Sequence, residues 1–256
     1  MNPRPSPHPK FHVSFFIRFL LDTHMEHPYE DRYKRVYAAG ARFWETPLPT
    51  EELMNFLDEW KPRIGKLIEF GCGEGRDSIF LAHSGYDVTG VDIAPSAIKR
   101  AKEWAREEGL EIDFRVGDVT ALSGIPDNHF DLGVNIGCLQ MFPDPEDRVR
   151  HLNEARRVLK PDALYFFLNM GGGTSEEAVE RFGPDWTPPM VGELRSRKIM
   201  VDGRQKEIML PIIACHGSQR KELEREFSVS GFTIADIQRK KTRPHGTCWQ
   251  VIAVSS

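Results

Sequence analysis

Three short segments carry residues whose types and spacing suit the binding of a nucleoside. The first is Glu69-Phe70-Gly71-Cys72-Gly73-Glu74-Gly75-Arg76-Asp77, in which the glycines alternate. Alternating glycines let a backbone approach a ligand closely. Asp92 and Asp118 each follow a later apolar segment. The first carboxylate could accept hydrogen bonds from both ribose hydroxyls and the second from an adenine amino group, so the set predicts a nucleoside site without an evident phosphate anchor.

The glycine spacing differs from that of dinucleotide-binding turns. Their G-x-G-x-x-G pattern would need glycine at position 76, where this chain has Arg76. The turn therefore argues against a nicotinamide dinucleotide site, and a nicotinamide oxidoreductase is a weaker interpretation of these segments.

These segments belong to an alternation of strands and helices that begins near Lys61. The hydrophobic pattern predicts strands at 66–70, 86–91, 112–116, 130–135 and 163–168, with helices over 77–84, 95–109 and 145–158. Such alternation implies parallel strands, right-handed crossovers, helices on both faces and ligands at the carboxyl ends of the strands. Residues 232–238 and 247–254 have no helix between them. They predict a C-terminal antiparallel hairpin, giving a doubly wound, mostly parallel seven-stranded α/β sheet.

Composition narrows the function classes. The chain has 256 residues and a net charge of -4, from 34 Lys and Arg against 38 Asp and Glu. This balance argues against holding nucleic acid by overall charge. The four cysteines are far apart, which favours a reducing cytoplasm and predicts neither a metal site nor a disulfide framework. The apolar run at 11–21 is too short to span a bilayer.

The chain divides around the predicted sheet. Residues 1–24 are rich in proline and predict a flexible tail. A start of native translation at Met25 is a hypothesis that follows from this composition. Residues 25–256 are interpreted as one domain. Two parts lie outside the alternating pattern, an aromatic lead-in at 25–60 and an addition at 171–227. The addition lies at the carboxyl end of the sheet and is expected to cover an acceptor site, with a hairpin turn at Asp202-Gly203.

The ordered motifs resemble the class I S-adenosylmethionine-dependent methyltransferases. IEFGCGEGRDSIFLA is similar to their first motif, VTGVDIAPSAIKRAK to their second and FRVGDVTAL to their third. The segment from FDLGVN to YFFLN resembles their fourth strand, the helix after it and their fifth strand. The resemblance covers residues 61–170 and the last hairpin, where this chain has Asp162-Ala163 in place of two glycines that the family often carries.

The resemblance implies S-adenosylmethionine as cofactor and a role for each matching residue. Asp92 would hold the ribose, Ile93 would pack on the adenine ring, and Asn135 would lie near the methionine moiety. The remaining residues would line the methionine and ribose side (Glu69, Gly71, Gly73, Gly75) or border the adenine (Asp118, Val119). Arg76 either pairs with the methionine carboxylate or is a solvated charge at a helix start. The glycines could also form only a tight turn, and the aspartates only caps.

The acceptor side is less defined. FWETPLP resembles the Trp-containing lead-in of methyltransferases that act on thiols, thiopurines, halides or tellurite, and IGCLQMF resembles their GCLHH stretch. Gln140 and Met141 replace the paired histidines, which removes an obvious base. Trp44 is expected to be a lid over the cofactor, with plain packing as the alternative. Tyr33 and Tyr37 lie four residues apart and could share one helical face.

Two residues are candidates for catalysis. His216 resembles a family position before the last helix and could be a base or a substrate contact; a loop histidine is the alternative. Cys138, with Cys215, could bind a soft acceptor such as a thiol or metalloid, or could be a small core residue.

The predicted function is a cytoplasmic methyltransferase that acts on a small-molecule acceptor by in-line displacement. Two alternatives remain open: a non-catalytic S-adenosylmethionine-binding regulator or scaffold, and an RNA or protein methyltransferase. No nucleic acid or membrane partner is expected, and the sequence gives no oligomeric state.

Overall fold

A computed structural model describes residues 27–43, 48–171, 190–242 and 246–256. The predicted tail at 1–24 and Trp44 lie outside the described residues. Within them the helices are α1 Pro28–Ala38, α2 Glu51–Trp60, α3 Arg76–His83, α4 Pro95–Glu107, α5 Pro145–Val158 and α6 Arg220–Val229. The strands are β1 Lys66–Phe70, β2 Asp87–Asp92, β3 Asp113–Val116, β4 Phe130–Ile136, β5 Leu159–Met170, β6 Leu194–Val201, β7 Arg204–Pro211, β8 Phe232–Thr242 and β9 Gly246–Ser255. A short 3-10 helix, Leu139–Met141, follows β4.

Seven strands form one sheet in the order β3-β2-β1-β4-β5-β9-β8. The first five pair in parallel, whereas β9 runs antiparallel to both β5 and β8. The predicted doubly wound sheet with a closing hairpin is therefore confirmed. Strand β5 begins earlier than predicted, because Leu159 already pairs with Phe130 across an irregularity in register.

Alternating residues of the central strands supply the cores on the two faces of the sheet. Leu67 packs with Leu53 and Phe56 of α2 on one face. The next residue, Ile68, belongs to the core that contains Phe227 of α6 on the other face. Because successive side chains of a strand point to opposite faces, one apolar run fills both layers and fixes the carboxyl ends of β1, β2 and β4 side by side.

A second, two-stranded sheet consists of β6 and β7. Its turn is at Asp202-Gly203, as predicted, and both residues have positive φ, of 48° and 73°. Leu210 of β7 shares a small apolar cluster with Tyr33 of α1 and Phe43. The hairpin from the predicted acceptor cover thus packs on the aromatic lead-in. No helix in the described part of the chain is long and apolar enough to cross a membrane.

Candidate functional site

The glycine turn joins β1 to α3 and is tied to the end of β2. The backbone amide of Gly71 donates to the Val91 carbonyl at 2.8 Å. Asp92 Oδ2 accepts from the Gly73 amide at 2.8 Å, and its Oδ1 accepts from the Ala94 amide at 2.9 Å. Burial raises the pKa of Asp92, and the amide hydrogen bonds oppose that rise. One buried carboxyl therefore holds the turn against the start of α4.

The three glycines of the turn have different neighbours. A Cβ at Gly71 would come within 2.7 Å of the Cys138 side chain, and one at Gly73 within 2.7 Å of Tyr33 Oη. At Gly75 the added atom would be 2.8 Å from Phe114, below α4. Gly75 is therefore a packing position, whereas the other two bring the turn against residues of the predicted acceptor side.

Glu69 is the next-to-last residue of β1, just before the glycine turn, and its side chain is almost fully buried. Its carboxylate accepts a hydrogen bond from Ser78 Oγ. Burial, with the nearby charge of Asp77, raises the pKa of Glu69 to about 8. A carboxyl that is protonated at neutral pH could ionise when a cationic ligand group arrives. The predicted place of Glu69 on the methionine and ribose side stays a prediction.

Arg76 is not a solvated charge: it is only 6% exposed. Its Nη2 donates to Thr50 Oγ1 at 2.5 Å and to Asp77 Oδ2 at 2.8 Å, while the Thr50 amide donates to Asp77 Oδ1 at 2.7 Å. The solvated-charge alternative is therefore wrong, because α2 begins directly over α3 and removes this guanidinium from water. Its pairing with a methionine carboxylate stays a prediction.

The predicted adenine edge lies after β3. Asp118 is exposed, and its Oδ1 accepts from both the amide and the hydroxyl of Thr120 at 2.8 Å. Val119 is buried, and its carbonyl lies 3.1 Å from His151 Nδ1. Ile93 is half-buried at the end of β2. The residues assigned to adenine thus come from neighbouring strand ends.

His151 contacts the predicted adenine edge from the interior of the protein, and no sequence pattern pointed to it. It is fully buried on α5, and burial lowers the pKa of its imidazole to about 4, so the ring is neutral. Its Nε2 lies 2.8 Å from Asn135 Nδ2 and 3.2 Å from Tyr165 Oη. Periodicity gave no signal for it, since a histidine on an inward helix face looks like any other core position.

Asn135 has a structural role in the turn after β4. Its side chain is fully buried, and Oδ1 accepts from the amides of Cys138 at 3.2 Å and Leu139 at 3.4 Å. The amide nitrogen faces His151. These contacts fix the backbone that carries Cys138; the predicted contact with methionine is not among them and stays a prediction.

The two catalytic candidates lie on connected segments. The backbone amide of His216 donates to the Gln140 carbonyl at 2.7 Å, two residues after Cys138. His216 Nε2 lies 2.8 Å from Glu222 Oε2, and Arg148 Nη2 lies 2.7 Å from the other oxygen of Glu222. Burial, with the charges of Asp92 and Asp118, raises the pKa of Cys138 well above its ordinary value. Cys138 is therefore a neutral thiol and His216 is held to a carboxylate.

Three polar side chains join these segments to the sheet. Gln140 Oε1 accepts from the Met170 amide at 2.7 Å, and Asn169 Oδ1 accepts from the Gln140 amide at 2.7 Å. Asn169 Nδ2 donates to Ser218 Oγ at 3.1 Å. The three side chains come from positions 140, 169 and 218, so no local motif could have revealed the network.

Helix α1 lies over the glycine turn. Tyr33 and Tyr37 share a face as expected, with ring centroids 5.8 Å apart. Tyr37 Oη donates to Glu74 Oε2 at 3.2 Å, and the Phe43 amide donates to the same oxygen at 3.3 Å. Glu74, in the middle of the turn, thereby binds the aromatic lead-in.

Comparison with known proteins agrees with this fold. Residues 67–162 match the family described as "Methyltransferase domain". A ubiquinone biosynthesis O-methyltransferase of Nitrosospira multiformis is 33% identical over 115 residues, which cover 44% of this chain and 47% of that protein. The 2-heptyl-1-hydroxyquinolin-4(1H)-one methyltransferase of Mycobacteroides abscessus is 30% identical over 126 residues, covering 49% of this chain and 54% of that protein. The chain spans about half the length of these curated relatives.

A solved structure extends the likeness over the whole fold. The S-adenosylmethionine-dependent methyltransferase from Methanosarcina mazei is 26% identical with a TM-score of 0.60, and the match covers 81% of this chain and 98% of that one. Residues 67–162 thus match a methyltransferase domain in sequence, and the fold resembles that of an S-adenosylmethionine-dependent methyltransferase. The predicted fold and cofactor are confirmed at this level.

Proposed function

We propose that this protein transfers the methyl group of S-adenosylmethionine to a small-molecule acceptor by in-line displacement. The observation that carries the proposal is the pairing of the Gly73 amide with Asp92 Oδ2, at 2.8 Å, inside the segment that matches a methyltransferase domain. When bound, this cofactor supplies an electrophilic methyl group on a sulfonium sulfur. The chain has to align the acceptor with it and exclude water.

The cofactor would be held by residues at neighbouring strand ends. Each Asp92 oxygen already accepts one amide hydrogen bond and retains lone-pair capacity for a ribose hydroxyl. Asp118, Val119 and Ile93 would border the adenine. The methionine side would be lined by Glu69, Gly71, Gly73, Gly75, Arg76 and Asn135, with Trp44 as a lid.

Neither catalytic candidate is a free, charged nucleophile. Cys138 is a neutral thiol and His216 is held by Glu222 at 2.8 Å. A positioning role fits the neutral thiol of Cys138, whereas the carboxylate partner of His216 is compatible with a role as base or as substrate contact. Alignment and desolvation are therefore the main contributions proposed for the protein.

A small acceptor is favoured by what packs around the turn. Helix α1, the β6–β7 hairpin and the segment that carries His216 all lie at the carboxyl ends of the strands. The named substrates of the two curated relatives, in ubiquinone biosynthesis and a hydroxyquinolone, are small molecules. RNA or protein methylation and a non-catalytic scaffold remain the alternatives, and the likeness to the thiol and tellurite branch stays a prediction.

The domain plan and the cellular location also remain proposals. Residues 25–256 would act as one domain, with 25–60 and 171–227 covering the acceptor. All four cysteines are free thiols, which supports a reducing cytoplasm.

Calorimetric titration tests the cofactor. The intact protein is expected to bind S-adenosylhomocysteine and S-adenosylmethionine but not NADH. Transfer of labelled methyl to a panel of small hydroxylated, amine and thiol acceptors then tests turnover. Binding without transfer to any acceptor would favour the scaffold, and absence of cofactor binding would overturn the proposal.

A further inference from the structure

The two ring nitrogens of His216 have different surroundings. Nε2 lies 2.8 Å from Glu222 Oε2, whereas Nδ1 has no hydrogen-bond partner among the residues that the structure describes. The side chain is 29% exposed. When a neutral imidazole donates from one nitrogen, the other nitrogen carries a lone pair. The carboxylate at Nε2 therefore leaves Nδ1 as the nitrogen that can accept from a ligand.

Glu222 is held in the charge state that fixes this tautomer. Its Oε1 accepts from Arg148 Nη2 at 2.7 Å, and its Oε2 also accepts from the Gln219 amide at 3.3 Å. Burial by itself would raise the pKa of Glu222, but the hydrogen bonds from His216 and Gln219, with the neighbouring positive charge, lower it. An ionised carboxylate can only accept hydrogen bonds, so it requires a proton on the nitrogen that faces it.

Arg148 anchors this carboxylate from α5. It is 1% exposed, and its Nε donates to Glu226 Oε1 at 3.0 Å. Its Nη1 donates to the carbonyls of Phe142 and Pro143 at 3.1 and 2.9 Å. With Nη2 on Glu222, all three nitrogens of the planar guanidinium are bonded, and the group cannot turn without breaking these bonds. Arg148 thereby ties the turn after β4 to α6.

His216 lies beside the turn that this arginine holds. Its backbone amide donates to the Gln140 carbonyl at 2.7 Å, two residues after Cys138. Cys138 lies against the glycine turn, since a Cβ at Gly71 would come within 2.7 Å of its side chain. Because Gly71 is assigned to the methionine side of the cofactor, the imidazole borders the place where an acceptor would have to lie.

The groups behind His216 suit a positively charged imidazole. Two carboxyl groups, those of Glu222 and Glu226, face the single guanidinium of Arg148. Glu226 Oε2 has no partner within the described part of the chain. A proton on the imidazole would place a positive charge beside this acidic excess, which is a stabilising arrangement. Such surroundings favour a group that takes up a proton during a reaction.

We propose that His216 is the general base of the methyl transfer, acting through Nδ1, and that Glu222 and Arg148 are its positioning residues. The hydroxyl proton of the acceptor would go to Nδ1 as the bond between the acceptor oxygen and the methyl carbon forms. The carbon–sulfur bond breaks in the same step, its electron pair stays on sulfur, and solvent later takes the proton from the imidazolium. The inference rests on the proposed function and narrows the acceptor to a compound whose hydroxyl is un-ionised at neutral pH.

Nitrogen NMR of isotope-labelled histidine tests the tautomer without any acceptor. At about pH 8.5, where an ordinary imidazole is neutral, His216 is expected to carry its proton on Nε2 and not on Nδ1. His216→Gln lacks this resonance and so assigns it.

Glu222→Gln should reverse the tautomer. The amide oxygen can stay on Arg148, which turns the amide NH2 group to Nε2 of the imidazole and moves the ring proton to Nδ1. Glu224→Gln is the matched control, because Glu224 is on the same helix, is 42% exposed and pairs with Arg220 at 2.8 Å. It should keep the wild-type tautomer. Both variants should bind S-adenosylhomocysteine within about twofold of wild type.

Methyl transfer to phenol and to 4-nitrophenol distinguishes a base from a mere contact. At about pH 8, phenol is un-ionised, whereas 4-nitrophenol has largely lost its proton. His216→Gln can still donate to Glu222 but cannot take up a proton. It should lower kcat at least about 100-fold for phenol and less than about threefold for 4-nitrophenol. Glu222→Gln should show the same selectivity, with a loss of at least about tenfold for phenol, and Glu224→Gln should show none.

Each part of the inference has an outcome that contradicts it. A wild-type ring with its proton on Nδ1 would overturn the positioning by Glu222, and mixed tautomers in Glu222→Gln would overturn the role of Arg148. Equal losses with both phenols in His216→Gln, or no loss, would overturn His216 as the base. These results leave S-adenosylhomocysteine binding intact and so spare the proposed function. Failure of the wild-type protein to bind S-adenosylhomocysteine would overturn the proposed function, while the tautomer in the free protein would still decide the positioning.

Discussion

The Asp92 carboxylate accepts the Gly73 amide at 2.8 Å and the Ala94 amide at 2.9 Å. A single side chain at the end of β2 thereby fixes both the glycine turn after β1 and the start of α4. The same oxygens are the ones assigned to the ribose. Turn geometry and cofactor affinity should therefore depend on one residue.

Asp92→Asn is expected to weaken S-adenosylhomocysteine binding at least about tenfold, because an amide cannot accept hydrogen bonds at both positions. Titration calorimetry measures the affinity. Asp113→Asn is the control: that carboxylate is exposed at the start of β3 and pairs with Arg115. Equal affinity in the Asp92 and Asp113 variants would contradict the assignment.

Gly73→Ala should reduce both stability and cofactor binding. Gly73 has φ of 56°, and the added Cβ would come within 2.7 Å of Tyr33 Oη. The loss of stability would be the sum of a backbone strain of roughly 1–2 kcal/mol and the cost of displacing Tyr33. Thermal unfolding and titration calorimetry measure the two effects.

Gly124→Ala separates strain from collision. Gly124 has φ of 75° but nothing within 4 Å of an added Cβ. It should lose stability by strain alone and keep its affinity for S-adenosylhomocysteine. If Gly73→Ala loses no more stability and no more affinity than Gly124→Ala, the contact with Tyr33 is unimportant.

Glu69 predicts a particular pH dependence of folding. The pKa of Glu69 in the folded protein, about 8, lies above the ordinary value of 4.5, so the protonated form of Glu69 favours the folded state. That contribution is complete below the unfolded pKa and declines as pH rises from about 4.5 to about 8. Glu69→Gln stays neutral and should flatten this decline, by on the order of 4 kcal/mol at pH 8.

Urea unfolding at pH 5, 6.5 and 8 measures the difference between wild type and Glu69→Gln. Glu59→Gln, an exposed position on α2, is the control and should follow the wild-type curve. A constant difference between wild type and Glu69→Gln at every pH would contradict the raised pKa.

Gly171→Ala should loosen the segment that carries His216. A Cβ at 171 would come within 2.3 Å of the Ser218 carbonyl oxygen, and backbone cannot move aside as a side chain can. A destabilisation of roughly 1–3 kcal/mol is expected in urea unfolding. Gly217→Ala, on the same segment, meets only the Gly171 Cα at 3.9 Å and should behave like wild type. Similar losses in both variants would show that the segment tolerates no Cβ at all.

The sequence by itself determined the sheet and assigned residues to the cofactor side of the proposed site. Short apolar runs, the glycine turn and carboxylates at strand ends are local signals, and parallel pairing brings the ends of β1, β2 and β3 together without further information. The order of the strands and the hydrogen bond from the Gly73 amide to Asp92 Oδ2 came from the structure.

Only the tertiary structure decided the acceptor side. Arg76 is buried because α2 lies over it, and Tyr33 and Tyr37 reach the turn because α1 packs against it. Gln140, Asn169 and Ser218 meet across long stretches of chain. These contacts depend on how elements that are distant in sequence pack together. Such packing produces no periodic pattern in the sequence of either element.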